Sequence, residues 1–198
     1  MIQTLNASDD VSSSLLYSPL ISSSFPVNPT NSNRLYFQFN SYFESIQRGK
    51  NYRNIPDIGF GFKISKNLTL EGSALNYSLD KTSGQLTRVG IQYSFGTNDT
   101  LSWVSTVKKS NYNSLKKYNI NNIALDISKW FKYQNSFFRI GLGSSFYKMN
   151  DFLKQEKGQI NFTFMNLLTP VKVFHLGFGL WISSNLFSFS FSIQKDFY

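Results

Sequence analysis

Residues 174–182 read FHLGFGLWI, and the order of residue types in this stretch decides how the rest of the chain is read. Phe174, Leu176, Phe178, Leu180 and Ile182 take every second position, with His175, Gly177, Gly179 and Trp181 between them. A period of two is a strand signal, because successive side chains leave a pleated backbone on opposite sides. The same texture recurs in GFGFKIS at 59–65, VGIQYSFG at 89–96 and RIGLGSSF at 139–146. One face of each segment is bulky and apolar; the other is mostly Gly, Ser, Gln, Asn or a single charge.

Working outward, this alternation predicts strands at 34–45, 56–65, 68–79, 86–96, 100–109, 120–132, 136–147, 159–168, 172–183 and 186–197. The third slips phase near Gly72–Leu75, where a bulge is expected. Residues 1–33 are rich in Ser, Asn and Pro and carry no period; they read as an irregular arm before a β domain at 34–198.

The chain has 198 residues, of which 17% are aromatic and only 16% charged. Mean hydropathy is nevertheless −0.25, as expected when apolar and polar residues alternate. Cysteine is absent, which rules out disulfides and thiolate metal sites. The net charge of +9 is spread between apolar segments, not gathered on one helix or in one run. That distribution reads as solvated loop charge and gives no nucleic-acid site. No apolar run is long enough for a transmembrane helix. Residues 1–30 do not read as a signal peptide, lacking a basic start followed by an apolar core.

The composition of the polar face separates membrane from soluble architectures. A soluble sandwich or barrel turns its small or charged face to water, and that face usually shows more Lys, Glu and Thr. Small polar residues suit a crowded lumen, and large apolar residues suit lipid. Connection lengths point the same way. Short gaps at 66–67, 96–99, 133–135 and 169–171 alternate with longer ones at 47–54, 80–85, 110–119 and 148–158. The last connection, at 184–185, is short and breaks the pattern. The expected fold is all-β: a transmembrane up-and-down antiparallel β-barrel of about 10 strands (8–12), with both termini at the short-turn end.

The chain resembles the outer-membrane β-barrel superfamily over 34–198, most specifically in its last segment, FSFSFSIQKDFY at 187–198. That segment is similar to the terminal strand read by the barrel-assembly machinery, with Phe197 and Tyr198 as the assembly signal. The register Phe187, Phe189, Phe191, Ile193 ends on Phe197, with Lys195 placed to snorkel to the interface. The resemblance implies a bacterial outer membrane, with membrane lipids and lipopolysaccharide as surroundings. It identifies no subfamily, and it leaves open that the chain is the C-terminal part of a longer barrel.

No catalytic or cofactor constellation emerges. The single histidine, His175, lies on the small face near a short turn and reads as a lumen residue bonded to a neighbour. Gly59-Phe-Gly61 and Gly177-Phe-Gly179 are strand glycines, not phosphate loops. Neither a metal nor a cofactor is expected. Arg34, Asp57, Lys63, Arg88, Asp126, Arg139 and His175 are candidate lumen charges, with Glu71 and Asp196 able to join them. Arg48, Lys50, Arg53, Lys116, Lys117, Lys154 and Lys157 are a candidate external basic rim, with Lys108, Lys109 and Lys148 flanking the same loops. Three readings follow: a non-enzymatic barrel acting as narrow channel or structural envelope protein, a barrel subunit of a secretion or envelope complex, and a soluble lipid-binding β-barrel.

Overall fold

The computed structural model describes residues 34–46, 52–79, 82–97, 100–114, 118–151, 155–184 and 186–197. These form ten strands: β1 Leu35–Ile46, β2 Tyr52–Lys63, β3 Leu68–Leu79, β4 Thr82–Thr97, β5 Thr100–Ser114, β6 Tyr118–Tyr133, β7 Ser136–Asp151, β8 Gln155–Val171, β9 Phe174–Ser183 and β10 Leu186–Phe197. Each strand pairs antiparallel with its neighbours in the chain, and β10 returns to β1. The closing seam runs from Leu35 opposite Phe197 to Ile46 opposite Leu186. The result is a closed up-and-down barrel, and no helix occurs among the described residues. The arm expected at 1–33 lies outside the described residues.

The alternation sorts side chains cleanly. Phe37 and Phe39 of β1, Phe60 of β2, Ile91 of β4, Leu142 of β7 and Phe191 of β10 are exposed on the outer wall. Tyr36, Gln38, Asn40 and Tyr42 of β1 are buried inside. An apolar surface contributed by every strand is far larger than a protein in water leaves uncovered. It matches the lipid-facing band of a membrane barrel. This arrangement overturns the soluble lipid-binding reading, which needed the bulky residues to line a cavity.

A girdle of rings marks the barrel end that holds both described termini. Tyr93, Phe95 and Trp103 stack in sequence, with centroids 6.3 and 6.4 Å apart. Lys129 Nζ lies 5.5 Å from the Trp103 ring and 5.3 Å from the Phe131 ring. Lys195 Nζ sits 5.1 Å from the Phe197 ring and 5.8 Å from that of Phe174. Rings with ammonium groups over them suit the boundary between hydrocarbon and water.

Three expectations change. The long connections shrink to 80–81, 115–117 and 152–154, because β4, β5, β7 and β8 continue through residues read as loop. Asn, Ser and Thr can extend a ladder wherever both faces meet water, so polarity alone does not end a strand. The bulge expected near Gly72–Leu75 is absent from the β3–β4 register, which is continuous from Leu68 to Leu79. Leu75 instead points inward and is buried. A register shift occurs between Phe95 and Thr97, around Gly96 at φ 148°.

Candidate functional site: the barrel interior

A ten-stranded barrel encloses more space than an eight-stranded one, so small residues alone would leave a channel. Here the inward positions also carry large side chains. Toward the end remote from Leu35 and Phe197, Tyr42, Leu75, Leu86, Tyr112, Ile120, Phe162, Phe164 and Trp181 form one buried cluster. Toward the other end, Val104, Trp130 and Leu168 form a second. Inward glycines make room for large rings inside the barrel. Tyr36 occupies the space a Gly61 side chain would need, and Phe164 does the same at Gly141.

Between the two clusters lies a layer of charge. Six strands, β2 to β7, supply the three ion pairs. Asp57 of β2 pairs with Arg88 of β4, both buried. Arg88 reaches across β3, where its Nε donates to Ser73 Oγ at 2.7 Å. Lys108 Nζ of β5 lies 2.8 Å from Glu71 Oε2 of β3, crossing β4 at Gly90. Arg139 Nη2 of β7 lies 2.9 Å from Asp126 Oδ1 of β6. The same guanidinium donates from Nε to Ser128 Oγ at 2.7 Å and from Nη2 to Thr106 Oγ1 at 3.3 Å. Its Cζ stands 4.8 Å from the centre of the Phe164 ring. Three acids answer three bases, so the layer carries no net charge when all six are ionised. Charges this far from water persist only when paired and hydrogen-bonded.

A smaller polar group lies at the end near Leu35 and Phe197. His175 Nδ1 is 3.3 Å from Asp196 Oδ2, and Gln194 Nε2 donates to Asp196 Oδ1 at 2.6 Å. Lys63 is buried on the same inward face, within Coulombic reach of Asp196.

Of the candidate lumen charges, Asp57, Lys63, Arg88, Asp126 and Arg139 are thus buried inside, and His175 is partly buried. Arg34 is not among them: it stands exposed ahead of β1, its carbonyl accepting from Lys63 N at 2.7 Å. Lys108 was expected to flank an external loop and is instead 3% exposed in the interior. The reason is parity. Trp103, Val107 and Lys109 point outward on β5, so Val104, Thr106 and Lys108 must point inward. Of the expected basic rim, Arg48, Lys50, Lys116, Lys117 and Lys154 lie outside the described residues. Arg53 belongs to β2, opposite Glu44. Lys157 is exposed within β8, on the outer wall and not in a loop. Phe197 ends β10 with its ring 5.7 Å from that of Phe37; Tyr198 lies outside the described residues.

No protein-family model matches this chain, and no curated protein matches it in sequence. Solved structures do match its shape. The β domain of the Bordetella autotransporter BrkA superposes with a TM-score of 0.52 at 6% identity, covering 84% of this chain and 100% of that one. The porin KdgM, solved with a disordered oligogalacturonate, gives a TM-score of 0.47 at 8% identity, covering 82% and 99%. The translocator domain of the autotransporter NalP from Neisseria meningitidis gives 0.46 at 9% identity, covering 96% and 98%.

Proposed function

Starting from the fold of an outer-membrane β-barrel, we propose that this chain is a non-enzymatic barrel of a bacterial outer membrane, with a structural or envelope role and a closed lumen. The observation that carries the reading is the filled interior: two apolar clusters separated by three buried ion pairs. A diffusion pore needs a continuous wet path, and the large side chains buried inside this barrel speak against one. One interior void, bounded by Gln38, Tyr42, Asn166 and Trp181, amounts to about 10 Å³, room for one water. The outer wall supports lipid as the surrounding phase.

Conductance tests this directly. Protein refolded into detergent, with a heat-dependent gel shift, is added to planar bilayers. The expected result is no steady current. A variant thinned in both clusters, Phe162→Ala/Phe164→Ala/Trp181→Ala with Trp130→Ala/Leu168→Ala, is expected to conduct. Stepwise current from the unaltered protein would overturn the closed-lumen reading. Solubility without detergent and no gel shift would overturn the membrane reading itself.

A further inference from the structure

We infer that the outer wall of β5 to β8 carries a binding site for the phosphate of a lipid headgroup, in the leaflet remote from Leu35 and Phe197. The inference rests on the membrane-barrel reading above and adds a particular ligand chemistry to it.

Lys109 of β5, Lys148 of β7 and Lys157 of β8 are all exposed on the outer face. Lys148 and Lys157 are direct register partners. Two like charges placed opposite each other across a ladder repel, and nothing in the fold requires that pairing. Among the described residues, no carboxylate shares the outer face of these four strands. The amides beside the lysines are engaged with one another: Gln159 Nε2 donates to Asn161 Oδ1 at 2.8 Å, and Ser144 Oγ to the same oxygen at 2.7 Å. At the opposite end of the barrel, Lys129 and Lys195 have their ammonium groups over aromatic rings. The three lysines therefore make a concentrated positive patch whose natural complement is an anion from outside the chain.

The position of the patch says what kind of anion. A groove of about 310 Å³ is lined by Lys109, Asn121, Ile123, Phe146, Lys148 and Lys157. Ile123 and Phe146 are register partners, and Lys109 shares their rung. The lysines thus sit where the outward apolar band of Ile123, Leu125 and Ile127 gives way to Asn119 and Asn121. A phosphorylated lipid meets both halves of this surface. Its headgroup phosphate lies among ammonium groups, and its acyl chains lie along Phe146 and Ile123. Lys148 and Lys157 stand on neighbouring strands about 4.8 Å apart, and Lys109, two strands from Lys148, lines the same groove.

The test uses the full chain in detergent, titrated with bisphosphorylated lipid A and separately with lipid A stripped of both phosphates, with bound lipid counted by native mass spectrometry. Lys109→Gln/Lys148→Gln/Lys157→Gln changes only exposed side chains, and Lys66→Gln/Lys132→Gln/Lys172→Gln removes the same charge from the opposite end. The first variant is expected to bind the phosphorylated lipid at least about tenfold more weakly than the unaltered chain, and the second to bind it normally. Equal loss in both variants, or equal binding of the two lipids by the unaltered chain, would overturn the site. A chain that shows no gel shift and enters no vesicle would overturn the membrane reading; one that inserts normally without a phosphate preference would overturn this inference alone.

Discussion

Lys108 lies across Gly90, a full strand, and brings its Nζ to 2.8 Å from Glu71 Oε2. Both side chains are 3% exposed, so neither charge can fall back on water if the other is removed. Glu71→Gln is expected to destabilise the folded barrel by about 3–5 kcal/mol. A Glu71→Gln/Lys108→Met pair is expected to recover most of that loss, since it leaves no orphaned charge. Urea unfolding in lipid vesicles measures both. If the double variant is no better than the single one, the pair is not the source of the effect.

Gly90 is the bridge that permits this crossing. A Cβ there would stand 2.7 Å from Lys108 Cγ and 3.2 Å from the Val107 carbonyl oxygen. Gly90→Val is therefore expected to cost about 1–3 kcal/mol by overpacking. Combined with Glu71→Gln it is expected to cost less than the two separately, because the same contact is lost twice. Strict additivity in the same unfolding assay would contradict the shared origin.

Arg139 is a more demanding position than its ion pair with Asp126 alone suggests. Its guanidinium serves Asp126, Ser128 and Thr106 and lies against the Phe164 ring. A lysine keeps the charge but not the planar fork. Arg139→Lys is expected to lose about 2 kcal/mol, and Arg139→Met more, because Asp126 then loses the guanidinium that meets it. Equal stability of the arginine and lysine forms would mean that only the charge matters.

Depth in the bilayer can be read from the outer wall of β6. Leu125 and Ile127 lie mid-strand, whereas Phe131 belongs to the ring girdle. Leu125→Arg is expected to cost about 2–4 kcal/mol in vesicles, and Phe131→Arg about 1 kcal/mol or less beyond the lost ring contacts. A flat profile along the strand would place the apolar band outside the hydrocarbon.

The strands were legible because the two solvents of a barrel wall, lipid and lumen, choose opposite residue types at every second position. Phe174 to Ile182 shows this without ambiguity. Leu75 was misread because an apolar residue on the polar face looks like a phase slip. The interior is wide enough to need apolar bulk, and Leu86, Phe162 and Trp181 share that role. Lys108 and Lys109 are the sharper case. Identical neighbours go to opposite sides, and only their phase with Trp103 and Val107 assigns them. The ion-pair partners were hidden for another reason: Asp57–Arg88 and Glu71–Lys108 join strands two apart, so their contact depends on the stagger of the sheet.

The ladder between β1 and β10 joins residues about as far apart in sequence as the described barrel allows. Until Leu186–Phe197 reaches Leu35–Ile46, a partial sheet presents two unpaired borders. On loop entropy alone closure is expected to come last, since it spans the longest sequence separation of the pairings among the described residues. Damage to either seam strand should thus show first as a lower yield of folded protein and a slower approach to it, ahead of any change in the endurance of barrels already closed.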